Sequence, residues 1–332
     1  MRVFSRSNSS PLLVASASLL LLIVVSPAIS KQSLPSARKI VVPGFGSDGI
    51  RSWELRASQA TSARNGFILA REVLLSTFQG SSLQTLAKSP VARFHPDHGV
   101  AESNASIFVE GLRYEIQGEG WQWDSNRSRM HILTNARTAF DDRLTSFLSL
   151  DDSDHCASKE PLPARVEDEA NATQPTIITS RSLDLVTTRE GHRFLFTGEV
   201  VVLGTNLTVH CHQLEILSNR DANSSVSGEE VGGISFIEAQ GSVNIRQEGR
   251  FGSAEKAAID VPAGIVTLIG SARLEDDRGK LSGETITWER GKRAVVRSGV
   301  DGRARVELPP LPDFGLGKKL EDPSDKSQKK PQ

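Results

Sequence analysis

GSVNI, residues 241–245, has a near twin on either side, GEVVV at 198–202 and GSARL at 270–274. Each stretch sets an apolar residue two and four positions after a Gly. Side chains alternate between the faces of a strand, so Val243 and Ile245 share one side while Asn244 and Arg246 take the other. A Gly at the head of such a run permits a bend or bulge, so each strand is expected to begin at its Gly and turn off the sheet line there. Bends repeated at this spacing roll a sheet into a jelly roll or a half-open sandwich.

The alternation extends well beyond these stretches. From 176 to about 309 it runs through HRFLFTGEVVV, TNLTVHCHQLEIL, GISFIEAQGSVNI, GIVTLIGSARL, ETITW and RARVEL, with Gly, Asn or Asp at the breaks. From about 40 to 145 it recurs in KIVVPGF, SWELRA, ASIFVE, LRYEIQG, GWQWD and MHIL. NGFILAREVLLSTF is the one helical candidate, and its apolar residues also divide into two short strands, the reading adopted here. Between these regions, 146–175 loses all alternation. Residues 151–170 carry seven acidic side chains against Lys159 and Arg165, a net charge of −5, as expected of a linker with little apolar surface to bury. Residues 310–332 form a polar tail, expected to be disordered.

The two β regions share a signature. IQGEGWQW at 116–123 and LSGETITW at 281–288 both read Gly-Glu, any residue, an apolar residue, any residue, Trp. The offset of 165 that carries Trp123 to Trp288 also pairs Gly99 with Gly264, Val100 with Ile265 and Arg113 with Arg278. One structural unit used twice accounts for this.

Bulk properties narrow the function. A chain of 332 residues has room for about two domains. Its net charge of −1 lacks the basic surplus of a nucleic-acid binder, and 5% aromatics leave few stacking platforms. Arg2 and Arg6 precede an apolar run from Leu12 to Val25, and Ala28-Ile29-Ser30 offers a small-x-small cleavage site, together an export signal. Residues 1–30 are then either a cleaved signal peptide or a retained anchor, with 11–30 as the spanning stretch. The remainder works outside the cytoplasm in both cases.

Catalytic signatures do not emerge. His210-Cys211-His212 suggests a metal site, but alternation turns Cys211 away from both His side chains. His95-Pro96-Asp97-His98, followed by Gly99, has the composition of a turn between strands. The paired acids Asp141-Asp142, Asp151-Asp152 and Asp276-Asp277 belong to solvated turns. No nucleophile elbow, zinc-protease motif or phosphate loop occurs. The chain is expected not to be an enzyme and to need no cofactor.

One family is similar to this pattern. IEAQGSVNIRQEGRFGSAEKAAIDVPAGIVTLIGSARLEDDRGKLSGETITW resembles the repeat of OstA/LptA-type periplasmic proteins of lipopolysaccharide export. It holds a Gly-x-Val start at Gly241 and Val243, a basic Gly turn at Arg250, and an Ala-rich strand through Ala254 and Ala257. Then come Asp260, Gly264, Val266, Leu268 and Gly270. This resemblance covers about 176–309. The stretch 40–145, with SWELRASQA and YEIQGEGWQWDSNRSRMHILTNARTAF, resembles the LptC branch of the same system, whose members carry one N-terminal membrane segment.

The resemblance implies an all-β fold of two related open β-jelly-roll units, each a V-shaped, half-open sandwich, after the N-terminal hydrophobic segment. It further implies a periplasmic protein that holds the acyl chains of lipopolysaccharide in an apolar groove and forms part of a trans-envelope bridge. The expected partners are lipopolysaccharide, the inner-membrane ABC transporter complex of its export, and other β-jelly-roll bridge proteins stacked edge to edge. Groove candidates in the first unit are Ile116, Trp121 and Trp123. In the second they are Val200, Val202, Leu207 and Val209, then Val243, Ile245, Val266 and Leu268, and last Ile286 and Trp288. By their residue types alone these side chains suit a closed core equally well, and an exported β-sandwich scaffold without lipid is the alternative. An exported carbohydrate-active enzyme would need convergent carboxylates.

Overall fold

Why a mostly alternating chain ends as a bent sheet is answered by its ladder registers. The computed structural model describes residues 36–141, 175–188, 190–204, 207–219, 233–247, 249–277, 279–289, 294–298 and 303–307. The export segment, the polar tail and the acidic linker except Pro175 lie outside the described residues.

The first half supplies β1 (Ser36–Phe45), β2 (Arg51–Ser62), β3 (Ile68–Gln79), β4 (Ser82–His95), β5 (Val100–Gly111), β6 (Tyr114–Asp124) and β7 (Arg129–Phe140). The second supplies β8 (Thr176–Ser180), β9 (Ser182–Thr187), β10 (Gly191–Gly204), β11 (Leu207–Asn219), β12 (Ile234–Gln247), β13 (Arg250–Asp260), β14 (Ile265–Asp276) and β15 (Gly279–Glu289). The short β16 (Val295–Arg297) and β17 (Arg305–Glu307) end it. The ambiguous NGFILAREVLLSTF is strand for most of its length, in β3.

Every pairing is antiparallel and nearly every one joins neighbours in sequence. β8 and β9 together take the place of one strand broken at Arg181, and both pair with β7 on one side and β10 on the other. The two halves therefore do not form separate sheets. One ladder runs from β1 to β17, within a single compact unit.

Midway along most ladders the register slips by a residue. The slips fall at Ser103/Ser106 in β5, Thr197/Val200 in β10, Gln240/Val243 in β12 and Ile269/Ala272 in β14. Followed from strand to strand, they trace a crease across the sheet. At the crease Gly198, Gly241 and Gly270 have φ near 80°, and the residues after them, Glu199, Ser242 and Ser271, are left-handed as well. This corrects one expectation. The Gly residues do not start strands; they sit in the middle, and apolar residues flank them on both sides, as Phe194, Phe196, Val200 and Val202 do around Gly198. The bend is where the sequence places it, but the strand runs through it, because the bulge costs only one ladder position.

The duplication is visible in the registers. Ala101↔Trp123 and Val109↔Ile116 in β5–β6 recur as Val266↔Trp288 and Leu274↔Leu281 in β14–β15. Arg93↔Glu102 and Lys88↔Phe108 recur as Ala258↔Thr267 and Ser253↔Arg273. Even the turn glycines agree, Gly99 at φ 60° and Gly264 at φ 64°.

Candidate functional site

The crease divides each strand into two arms, so the sheet becomes two leaves. The contacts establish that the leaves face one another. Trp53, on one arm of β2, meets Phe94 of β4 and Trp123 of β6 on the opposite arm, with ring centroids 5.7 and 5.2 Å apart. Farther along, Tyr114 and Phe140 meet Phe194 at 5.0 and 5.1 Å, all edge to face. Such pairs add about 0.5–1.5 kcal/mol beyond the area they bury.

Of the sequence-derived groove candidates, Ile116, Trp121, Trp123, Val200, Val202, Leu207, Val209, Val243, Val266, Leu268, Ile286 and Trp288 are all buried between the leaves. Ile245 is half-buried against the same cluster. The fold brings all thirteen into one apolar interior. Trp53, Phe94, Tyr114, Phe140, Phe194 and Phe196 belong to it too and were not among them. Their signal is present in the sequence, since SWELRA and RFLF alternate cleanly.

Where the interior opens is informative. A cleft of about 520 Å³ lies between the leaves, lined by strands of the first half and by β9 of the second. Trp53, Val109, Trp123, Met130 and Leu185 form its apolar wall, and Ser52, Gln79, Gln84 and Thr187 are among its polar lining. Gly44 makes room for this wall, because a Cβ there would lie 1.9 Å from the Trp53 ring. Inside the same half, Trp121 Nε1 donates to Ser89 Oγ at 3.1 Å, and Ser89 Oγ donates to the Ser106 carbonyl at 2.8 Å. Thr77 and Thr85 share a hydroxyl hydrogen bond of 2.6 Å. These groups are satisfied internally, as buried polar atoms must be.

Glu54, with only 5% of its surface exposed, is held by Arg51 at 2.8 Å and Arg56 at 2.5 Å. Across the junction of the halves, Asp184 of β9 accepts from Arg129 and faces His131 of β7, at 2.6 and 2.9 Å. Burial opposes ionisation of Asp184, but the Arg129 hydrogen bond and the nearby cationic groups outweigh it and lower its pKa. Cys211 points inward and burial pushes its thiol up to about 12, whereas His210 and His212 are exposed on the other face. Among the described residues no group of three or more His, Cys, Asp or Glu could hold a metal ion. Nor is any described helix long and apolar enough to cross a membrane.

Residues 178–293 match the family described as LptA/(LptD N-terminal domain) LPS transport protein. The crystal structure of LptH, the LptA-homologous periplasmic component of the conserved lipopolysaccharide transport device from Pseudomonas aeruginosa, aligns with 41% of this chain and 96% of its own. Sequence identity there is 15% and the TM-score 0.33. No curated protein matches the chain.

Proposed function

We propose that this chain is a non-enzymatic carrier of lipopolysaccharide, acting in the periplasm as one segment of a bridge between membranes. The observation that carries the reading is the apolar interior between two leaves, opening as a cleft at Trp53 and Trp123 and continuing through the 178–293 stretch that matches the transport family. An acyl chain needs no specific polar site, since each CH₂ removed from water contributes about 0.8 kcal/mol. Polar headgroups would remain in water at the rim. The energy for movement would come from an ATP-driven transporter in the inner membrane, retained there or approached through the N-terminal segment. β1 and β17, at the two ends of the ladder, expose most of their residues and would serve as the edges that add to other bridge proteins.

A second reading has its own support. Twelve of the thirteen groove candidates are fully buried, which suits an exported β-sandwich scaffold whose core never opens. Photo-crosslinking in cells separates the two. A photoreactive residue at Met130 or Ile245 should give a lipopolysaccharide adduct, while the outward neighbours His131 and Asn244 should give none. Adducts at neither inward site, in protein that is folded, would leave the scaffold standing.

A further inference from the structure

Most apolar side chains of the first half are inside, yet a set of them stands in water along one rim. Phe45 and Ile50, at the β1–β2 tip, are 63% and 50% exposed; Leu83 at the β3–β4 tip is 53% exposed, and Leu112 at the β5–β6 tip 61%. Register puts these tips side by side, because Trp53 pairs with Thr77 and Thr85 with Gly111. With strands spaced about 4.8 Å, consecutive tips stand roughly 10 Å apart. Leu203 at the β10–β11 tip adds one more, and beyond it the same rim carries Arg250 and then Asp276 and Asp277.

The exposure is built into the tips. In the first, Gly46 N–H donates to the Ile50 carbonyl at 2.8 Å, and Ile50 N–H donates to Asp48 Oδ1 at 3.0 Å. Arg51 lies 4.2 Å over the Phe78 ring, tying this tip to the next. An Arg directly follows two of the exposed residues, Arg51 after Ile50 and Arg113 after Leu112. The inter-leaf cleft opens among these same tips, since Asp48, Phe78, Gln79 and Gln84 line it.

We infer that this rim docks on a lipid bilayer, with Phe45, Ile50, Leu83 and Leu112 inserted at the interface and the cleft mouth held against the membrane surface. Spacing decides between occupants. A protein partner needs a continuous patch of about 800 Å² on each side, whereas separate apolar tips with polar Gly and Ser residues between them suit insertion among headgroups. There each side chain gains its own transfer free energy. Only the consequence for transport, that an acylated lipid enters the cleft without crossing water, rests on the carrier reading above.

The test uses the full chain with vesicles of phosphatidylethanolamine and phosphatidylglycerol, a fraction of the lipid brominated on its acyl chains. Leu83→Trp and Leu112→Trp place reporters on the rim, and Val306→Trp places one on the exposed β17 edge. The four native Trp residues are all buried. Docking predicts that added emission from the two rim reporters shifts to the blue and falls at least twofold on bromolipid, while Val306→Trp behaves as the parent. The variant with Ser at positions 45, 50, 83 and 112 should bind these vesicles at least tenfold more weakly. Equal quenching at Val306→Trp would overturn the proposal in favour of adsorption through the N-terminal segment. Quenching of the parent alone would mean that lipid reaches Trp53 and Trp123 by another path, which sinks the rim and spares the carrier. A concentration-dependent blue shift without vesicles would assign the rim to a second copy of the chain.

Discussion

The strands β4–β6 and β13–β15 hold the same registers, yet they differ in what fills them. At the 165-residue offset Ser89 becomes Ala254 and Trp121 becomes Ile286, so a hydrogen-bonded pair in the first repeat is a plain apolar contact in the second. The crease differs too. In the first half it passes through Lys39, Glu72 and Asn135, each a single non-Gly residue near φ 50°, and through one glycine, Gly120 at φ 67°, whereas the second half bends at the Gly-led pairs Gly198-Glu199, Gly241-Ser242 and Gly270-Ser271. The cleft at Trp53 is lined mainly by first-half strands together with β9, and the exposed tip residues Phe45, Ile50, Leu83 and Leu112 belong to the first half. Backbone register is thus what the duplication retains, while the side chains that fill it differ.

The largest expected effect lies at Trp121. Trp121→Ala should cost about 3–5 kcal/mol in a urea unfolding experiment, from lost burial and the cavity left behind. Ser89→Ala should cost only about 0.5–1.5 kcal/mol, and the two changes should be clearly non-additive in a double-mutant cycle. Additive losses would mean that the Trp121–Ser89 pair is no more than contact, and that the repeats differ less than their residues suggest.

Next come the two kinds of crease. Gly270→Val combines a left-handed backbone with a Cβ built 2.8 Å from the Glu255 Cβ, and should destabilise by roughly 1–3 kcal/mol. Glu72→Gly relieves the same kind of strain, so it should be neutral or raise the unfolding midpoint. A substantial loss at Glu72→Gly would show that the first-half crease depends on its side chains.

Much of this was legible in the sequence, and the gaps have a physical cause. Alternation located the strands, the Gly-x-Val pattern located the bend, and the Trp123/Trp288 offset anticipated paired registers. The misplacement of the strand starts arose because a Gly that breaks a strand and one that bulges it look alike locally; only the partner strand's register tells them apart. The cleft was unreadable for a different reason. Trp53, Met130 and Leu185 come from strands far apart in the ladder and meet only because the crease folds one leaf over the other. The Gly-x-Val signals of the second half are denser, so ten of the thirteen groove candidates fall there.

Cys211 reports on access to the second-half interior. It faces the interior at the second-half crease, and burial raises its thiol to about 12. In a Cys156→Ser background it should react with a thiol reagent at pH 8 on the order of a thousandfold more slowly than an ordinary cysteine, whose pKa is about 8.5. Because the folded pKa lies above the unfolded one, this group's contribution to stability is present below about pH 8.5 and declines as pH rises toward 12. Prompt labelling of the native protein would show that the leaves part readily at the second-half crease.

The smallest effect concerns the seam where the halves join. Arg129 and His131 belong to β7 and Asp184 to β9, so this cluster ties the first half to the second from the outside. Its members are partly solvent-accessible, and such surface pairs contribute only about 0–1 kcal/mol. The lowered pKa of Asp184 fixes the sign: its contribution is present above the unfolded value near pH 4 and is lost as pH falls through the folded one. Asp184→Asn should therefore lower stability slightly at neutral pH and flatten the acid limb of the unfolding curve below about pH 4. The two halves also share backbone pairing through β8 and β9, so unfolding should remain a single transition in this variant. Two separated transitions would mean that the surface cluster, rather than the continuous ladder, couples the halves.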